Sequence, residues 1–448
     1  MRILALFMAV LLGATACGSN DSGVAAPVVP GAADSAPGEV GSDGADSGAA
    51  EVETNALANE APEPAAPEPA EVADGEPTCG QGQDLSPEAV GVEQIDGDDR
   101  DSNPSALVGD SHPQWPASLI PVDDIISGGP PPDGIPPIDT PRFQTASSVD
   151  WLSCNEPVLS LVIDGDARAY PVQVMTWHEL VNDTFGDRPV TVSFCPLCNS
   201  ALAYDRRVNE RILDFGTSGR LFNSSLVMYD RQTESLWTHF NGAAVVGTLA
   251  GTELDLLPMQ TTSWKNFLRQ NPDGIVLTRE TGFQRSYGIN PYEGYDDVNT
   301  SPFLFQGDID DRLAAKERVV AIDIADDSVA VVLEHLSAEQ VIAIDIGGQP
   351  VTIWHLPGTA SALETNRIDE GRDVGTTGVY DPSVDGQQLT FSRNDDGTFV
   401  DAETGSRWDI GGVAIDGSLA GTRLRGIERI DTFWFAIAAF APDTRVIA

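Results

Sequence analysis

The sequence predicts an α+β fold that is mostly β and contains two diverged copies of one β-rich unit. Short runs rich in β-branched residues and bounded by Gly, Asp or Pro, at 158–163, 190–194 and 319–324, are typical of strands. Residues 158–202 also align without a gap with residues 319–363. An internal repeat of this length indicates that the same structural unit occurs twice.

The repeat sets the boundaries of the predicted units. Residues 157–278 form the first unit and residues 318–448 the second, and residues 279–317 form a connecting segment rich in Gly, Tyr, Asp and Pro. Two units of this size make one large or two medium domains. Identical residues recur at aligned positions of the two units: Pro196 and Pro357, Ser200 and Ser361, Trp237 and Trp408, Trp264 and Trp434.

Helices are few in the predicted fold. Two are predicted in the first unit, from Pro171 to Val181 and from Thr262 to Gln270. Thr262 or Ser263 can cap the second helix, because a side-chain hydroxyl accepts a hydrogen bond from the free backbone N–H groups of the first turn.

The N-terminus, residues 1–17, has the pattern of an export signal. Arg2 precedes an apolar run over residues 3–12 that is too short to span a bilayer. Small residues then lead to Cys17, as in a lipoprotein signal whose new N-terminal cysteine is acylated, although Ala14 stands where Leu is usual. We expect a lipid anchor at Cys17 in the cell membrane and an extracytoplasmic location, with simple secretion as the alternative.

Residues 18–115 predict a disordered acidic tether. They are dominated by Ala, Pro, Glu, Gly, Asp and Ser, and such a composition buries too little apolar area to offset the entropy of ordering. The whole chain has 25 basic against 69 acidic residues and a formal net charge of −44. This charge argues against nucleic acid and anionic membrane surfaces as partners, and it identifies no protein partner.

Comparison of the two units singles out a pair of cysteines. Cys195 and Cys198 align with Leu356 and Thr359, whereas the residues around them agree between the units. Positions needed for the scaffold should agree between copies, but site residues need not, so the difference indicates a site in the first unit. Other metal-ligating residue types of the first unit also differ from their partners: His178 aligns with Glu339, Met228 with Phe399 and His239 with Ile410.

Three chemistries suit the Cys195-Pro196-Leu197-Cys198 motif. Thiolates are soft ligands, so both cysteines with His178 and Met228 would bind copper(I), and with His178 would bind zinc. The pair could instead perform thiol–disulfide exchange, with one low-pKa thiolate and one resolving cysteine. It could also form a structural disulfide, within the motif or with the other two candidates, Cys79 and Cys154.

A copper or zinc site is the leading hypothesis among the three. His178 lies in a predicted helix just before the strand that delivers Cys195, and Glu179 could orient its ring as a hydrogen-bond acceptor. Met228 alternates like a strand residue, which favours a core position. The residues after Cys198 predict a strand, whereas a thioredoxin-like redox site places its first cysteine at a helix N-terminus.

Other motifs of known chemistry are absent from the sequence. There is no nucleotide-binding loop, no Gly-x-Ser-x-Gly and no His-Glu-x-x-His, so no nucleotide cofactor is expected and no enzyme class is indicated. A polar, Gly-containing stretch at 216–225 could line a pocket beside the cysteines or form an ordinary hairpin loop.

The motifs of the first unit together resemble a bacterial family, the domain of unknown function 3179. The resemblance covers about residue 118 to the C-terminus and implies no activity, although exported and often lipid-anchored members fit the signal described above. His178, Cys195 and Cys198 match the family pattern and are the site residues that the resemblance implies, whereas it gives no reason to expect a role for His239. The resembling residues are Trp177-His178-Glu179 with Val181-Asn182-Asp183, Phe194-Cys195-Pro196-Leu197-Cys198, Phe215-Gly216-Thr217-Ser218-Gly219, Tyr229-Asp230-Arg231-Gln232-Thr233 and Trp237.

Overall fold

The computed structural model describes Cys79 and residues 89–448. The predicted signal, the predicted lipid attachment at Cys17 and most of the predicted tether lie outside these residues. Within them strands dominate and four short α-helices occur, which confirms the predicted mostly β, α+β class. No helix in this part of the chain is long and apolar enough to cross a membrane.

The first unit and the segment before it form three larger sheets and one small hairpin. The strands are β1 (Ala89–Val90), β2 (Ile125–Ser127), β3 (Phe143–Thr145), β4 (Pro157–Ile163), β5 (Asp166–Pro171), β6 (Leu180–Phe185), β7 (Arg188–Cys195), β8 (Ser200–Asp205), β9 (Arg207–Val208), β10 (Arg211–Ile212), β11 (Phe215–Phe222), β12 (Ser225–Asp230), β13 (Leu236–Thr238), β14 (Ala244–Val246), β15 (Leu256–Leu257), β16 (Met259–Ser263) and β17 (Ile275–Leu277). They pair in the orders β1-β3-β17-β5-β4-β16, β14-β13-β12-β11-β2 and β15-β8-β7-β6, with β9 and β10 as the hairpin.

The second unit pairs its strands in the same order as the first. Its strands are β18 (Arg318–Ile324), β19 (Asp327–Val332), β20 (Val341–Ile346), β21 (Gln349–Leu356), β22 (Thr376–Asp381), β23 (Ser383–Val384), β24 (Gln387–Gln388), β25 (Phe391–Arg393), β26 (Phe399–Asp401), β27 (Arg407–Trp408), β28 (Ala414–Asp416), β29 (Arg425–Gly426), β30 (Ile430–Phe433) and β31 (Arg445–Ile447). The sheet β30-β18-β19-β31 repeats β16-β4-β5-β17, and the last pair is parallel in both. Duplication of one unit stays a prediction from the sequence.

The four helices are α1 (Val172–His178), α2 (Trp264–Gln270), α3 (Leu333–Glu339) and α4 (Trp434–Phe440). The α1 helix is shorter than predicted because Glu179 adopts a left-handed conformation, with φ of 61°, and ends it. Gln340 ends α3 in the same way, with φ of 67°. In α2 the side chain of Ser263 accepts a hydrogen bond from the backbone N–H of Asn266, which confirms the predicted cap.

A buried aspartate organises one turn in the same way in both units. Asp230 accepts hydrogen bonds from the backbone and the hydroxyl of Thr233 and from the indole of Trp237. Asp401 binds the indole of Trp408 in the same way. Since the unit without the cysteines keeps this arrangement, these residues serve the scaffold.

Residues 89–115 were predicted to belong to the disordered tether, but in the structure they pack along the first unit. The backbone N–H of Ile95 donates to Thr184, and that of Gly97 donates to Asp214, both at 2.9 Å. The side chain of Ala106 is fully buried. Composition suggested disorder, but polar side chains of the first unit satisfy the backbone of this segment, which composition does not reveal.

The connecting segment 279–317 contacts both units and contains no helix or strand. On the second unit, the backbone N–H of Asn290 donates to the carbonyl of Asn366, at 2.8 Å. On the first unit, the hydroxyl of Tyr292 donates to the carboxylate of Glu179, at 3.2 Å. The segment therefore covers the part of the first unit where α1 ends.

The largest apolar core is shared by the two units. It contains Phe194 and Trp237 from the first unit and Phe433 and Trp434 from the second. Cys195 and Cys198 belong to the same core, so the motif singled out by the sequence lies where the two units meet.

Candidate functional site

Cys195 and Cys198 are free cysteines, and both are buried, with exposed fractions of 1% and 0%. Cys79 and Cys154 form a disulfide with each other, with their Cα atoms 5.1 Å apart. The predicted alternative in which the motif pairs with Cys79 and Cys154 is therefore wrong.

The motif forms the turn between strands β7 and β8. Cys195 ends β7 and pairs with Ser200 at the start of β8. Asn199 closes the turn in a left-handed conformation, with φ of 50°, which Asn tolerates better than most residues. As predicted, a strand and not a helix follows the motif.

Hydroxyl and thiol groups surround the sulfur of Cys198. It lies 3.1 Å from Oγ of Ser200 and 3.6 Å from Oγ of Ser225, and the Cys198 thiol donates to Ser225. Burial raises the pKa of Cys198, but the hydrogen bonds from Cys195, Ser200 and Ser225 to its thiolate outweigh burial and leave the pKa below its usual value. Cys198 is therefore the cysteine suited to act as the thiolate.

Cys195 has the opposite tendency. Burial raises its pKa well above the usual value, and its hydrogen bond to Cys198 and the charges of Cys198 and Glu179 raise it further. Burial also raises the pKa of Glu179 to about 7, and the hydrogen bond from Tyr292 opposes this. Of the two thiols, the environment therefore favours ionisation of Cys198 over ionisation of Cys195.

His239 joins the site through serine hydroxyls. Its Nε2 lies 2.9 Å from Oγ of Ser200 and its Nδ1 lies 2.7 Å from Oγ of Ser193, and all three side chains are fully buried. Burial lowers the pKa of His239 to about 3, so the imidazole is neutral. Ser193, His239, Ser200 and Cys198 form one continuous chain of hydrogen bonds.

The sequence did not reveal this chain, although one signal was present. His239 aligns with Ile410, which marks it as a difference between the units. The link to Cys198, however, is Ser200, and this serine aligns with Ser361, so the comparison assigned it to the scaffold. Only the fold shows that the serine side chain joins the two.

His178 is engaged elsewhere. Its Nδ1 donates to the carbonyl of Pro136, and its Nε2 accepts from the hydroxyl of Tyr287, both at 2.7 Å. Burial lowers the pKa of His178 to about 4, opposed by the Pro136 carbonyl. Both ring nitrogens therefore have partners of their own.

The donor set predicted for copper or zinc is not assembled in the described residues. No group of three or more His, Cys, Asp or Glu side chains in residues 89–448 could hold a metal ion. Met228 is fully buried on β12, where it pairs with Thr217 and Trp237, which is a core position. The residues present do not fit the predicted metal centre, and metal binding stays a prediction from the sequence.

The polar stretch 216–225 is a hairpin that also reaches the site. Strands β11 and β12 are joined by a tight turn in which Asn223 and Ser224 both have positive φ, of 48° and 61°. This confirms the hairpin interpretation. Ser225, the first residue of β12, brings its hydroxyl to Cys198, so the stretch also contributes to the surroundings of the cysteines.

A small cavity lies between the two units beside the motif. Its volume is about 60 Å³. Phe194 and Asn199, which flank the cysteines, line it from the first unit, and Thr359 and Thr432 line it from the second. Neither cysteine lines the cavity.

Comparison with known proteins gives one match. A family model described as "Protein of unknown function (DUF3179)" matches residues 132–444. No curated protein and no solved structure matches the chain. The match confirms the resemblance found in the motifs of the first unit.

Proposed function

Because the chain belongs to the DUF3179 family, whose function is unknown, we propose a function from the site itself: Cys195 and Cys198 form a thiol–disulfide redox pair. The contact set of Cys198 carries the proposal. Its sulfur lies 3.1 Å from the Ser200 hydroxyl, which can donate to it, and 3.6 Å from the Ser225 hydroxyl, and hydrogen bonds from such groups stabilise a thiolate. The neighbouring protonated Cys195 suits the resolving role.

The oxidant in this proposal is a low-molecular-weight disulfide. The thiolate of Cys198 attacks one of its sulfurs, which forms a mixed disulfide and releases one small thiolate. Cys195 then loses its proton to the released thiolate and attacks the sulfur of Cys198. A Cys195–Cys198 disulfide forms, the second small thiolate leaves, and two electrons have passed to the oxidant. A small dithiol reverses the reaction.

Burial supports a small reactant over a folded protein partner. Neither sulfur is exposed, so a protein disulfide could reach them only after the units separate.

We also propose that the protein works outside the cytoplasm, held by a lipid at Cys17. The Cys79–Cys154 disulfide supports this location, because disulfides persist in oxidising compartments. In an oxidising compartment, the second cysteine pair, Cys195 and Cys198, could be oxidised and reduced reversibly and so act as a redox group.

Trapping of the mixed disulfide tests the proposed roles. The Cys195→Ser variant, incubated with oxidised glutathione, should accumulate one glutathione on Cys198, because the resolving thiol is missing. The Cys198→Ser variant is the matched control and should accumulate much less on Cys195, whose pKa is raised. Intact-mass measurement reads both, and equal labelling of the two variants would overturn the assignment. Metal analysis of the wild-type protein, with the two variants as controls that each lack one predicted ligand, tests the copper or zinc prediction.

A further inference from the structure

The backbone carbonyl of Cys198 is bound entirely by the second unit. The backbone N–H of Phe433 donates to it at 3.1 Å, and the hydroxyl of Thr432 donates to it at 2.8 Å. Thr432 and Phe433 are the last residues of β30, and both are buried. The second unit, which lacks the cysteines, thus supplies both hydrogen-bond donors to the backbone carbonyl of Cys198, the cysteine whose pKa is lowered.

The corresponding loop of the second unit is satisfied in a different way. Thr359 aligns with Cys198, and its carbonyl accepts from the backbone N–H groups of Val374 and Gly375, at 2.8 and 3.2 Å. These donors belong to an insertion that the second unit carries between β21 and β22. The first unit lacks that insertion, so the carbonyl of Cys198 depends on the other unit for both donors.

The first unit reaches the second through the equivalent threonine. Thr262 aligns with Thr432, and its Oγ1 accepts from Thr376 at 3.2 Å, while Thr376 contacts Thr359 at 2.8 Å. Each unit therefore uses the threonine at this aligned position to contact the other unit. The bonded groups differ, since Thr262 accepts from the side chain of Thr376 and Thr432 donates to the backbone carbonyl of Cys198.

We infer that the second unit completes the redox site and that Thr432 is a positioning residue, which fixes the Cys198 turn so that the sulfur stays against Ser200 and Ser225. Loss of the Thr432 hydroxyl would leave the carbonyl of Cys198 with the Phe433 N–H as its donor, so the turn would be held by one hydrogen bond from the second unit instead of two and could shift. The inference rests on the proposed redox function. It explains why a unit without cysteines is packed against the motif.

Substitution of the two equivalent threonines tests the inference. Thr432→Val keeps the shape of the side chain and removes its hydroxyl, and Thr262→Val does the same at the equivalent position. In full-length reduced protein we expect Thr432→Val to slow iodoacetamide alkylation of Cys198 at pH 7 by about fivefold, the value of one ordinary hydrogen bond. Its equilibrium with a dithiothreitol redox buffer should shift as well. Thr432→Ser should restore both, and Thr262→Val should change neither.

The outcomes separate the inference from the function on which it rests. A wild-type protein that never equilibrates with the redox buffer overturns the proposed function. A wild-type protein that equilibrates, with Thr432→Val indistinguishable from Thr262→Val, overturns the positioning role. Thermal unfolding of both Val variants is the control for a structural effect, which would lower the unfolding temperature of Thr432→Val relative to Thr262→Val. If Thr432→Val does not fold, Thr432→Ala takes its place.

Discussion

Nε2 of His239 lies 2.9 Å from Oγ of Ser200, with both side chains fully buried. The neutral imidazole carries one hydrogen, because burial lowers its pKa to about 3. When that hydrogen is on Nε2 it donates to Ser200, and the serine hydrogen is then directed to the sulfur of Cys198. Nδ1 accepts from Ser193 in the same state. The histidine thus orders the hydroxyl that stabilises the thiolate.

Removal of the Ser200 hydroxyl should destabilise the thiolate of Cys198 and raise the pKa of this cysteine. A hydrogen bond to a charged group contributes about 1.5–3 kcal/mol, so we expect Ser200→Ala to slow alkylation of Cys198 at pH 7 at least about tenfold. The matched control is Ser361→Ala, because Ser361 occupies the aligned position and binds Asp296 and Arg318 instead. Equal alkylation rates in the two variants would show that Ser200 does not act on the sulfur.

Replacement of Glu179 by Gln should change how stability depends on pH. The folded-state pKa of Glu179 is raised to about 7, so its contribution to stability is fully present below about pH 4.5 and is lost as pH rises through 7. Gln does not titrate, and Gln340 occupies the aligned position, also with a positive φ, of 67°. Glu179→Gln should therefore gain stability relative to wild type with rising pH, by up to about 1.4 kcal/mol per pH unit in this window.

Urea unfolding at pH 5 and pH 8 measures this difference. The carboxylate and the amide have nearly the same shape, so a large change in packing is not expected. If the difference in unfolding free energy between wild type and Glu179→Gln is the same at both pH values, Glu179 does not hold a proton in the folded protein.

His239→Gln should show a pH dependence of the opposite sign. The pKa of His239 falls from its ordinary value near 6.5 to about 3 on folding, so the unfolded chain binds more protons between these values. The stability that the neutral histidine contributes is present above pH 6.5 and is lost as pH falls toward 3. His239→Gln should therefore be destabilised relative to wild type at pH 7.5, by about 1–3 kcal/mol for the unpaired serine hydroxyls, and less so at pH 4.5.

The control for His239 is His335→Gln, which changes a histidine of α3 outside the hydrogen-bond chain. Urea unfolding of each variant should be compared with wild type at the same pH, because Glu179 and His239 act with opposite sign over overlapping ranges. A gap between wild type and His239→Gln that widens toward low pH would contradict a buried, neutral imidazole.

The sequence predicted local features of the fold well. Strand runs such as 158–163 fall within observed strands, and Ser263 caps α2 as expected. These features depend on neighbouring residues, which sequence patterns report directly. The tether boundary was placed too late because the backbone of residues 89–115 is satisfied by side chains far along the chain.

The sequence showed only part of how the candidate site is arranged. Comparison of the units singled out Cys195 and Cys198, which the structure places in the apolar core as free cysteines. His178 was grouped with them because it precedes β7 in the chain, but its ring is bound by Pro136 and by Tyr287 of the connecting segment. Such contacts between distant segments depend on how the sheets pack, and no spacing in the sequence reports them.

Redox titration of the wild-type protein tests the central claim most directly. Purified protein is equilibrated with dithiothreitol buffers of graded ratio, alkylated, and read by intact mass and by peptide mass, so that the Cys79–Cys154 disulfide is followed separately. The proposed function predicts that Cys195 and Cys198 convert together, as one two-electron couple with about 30 mV per tenfold change in ratio. Two thiols that remain reduced across all buffers, or that oxidise independently, would contradict it.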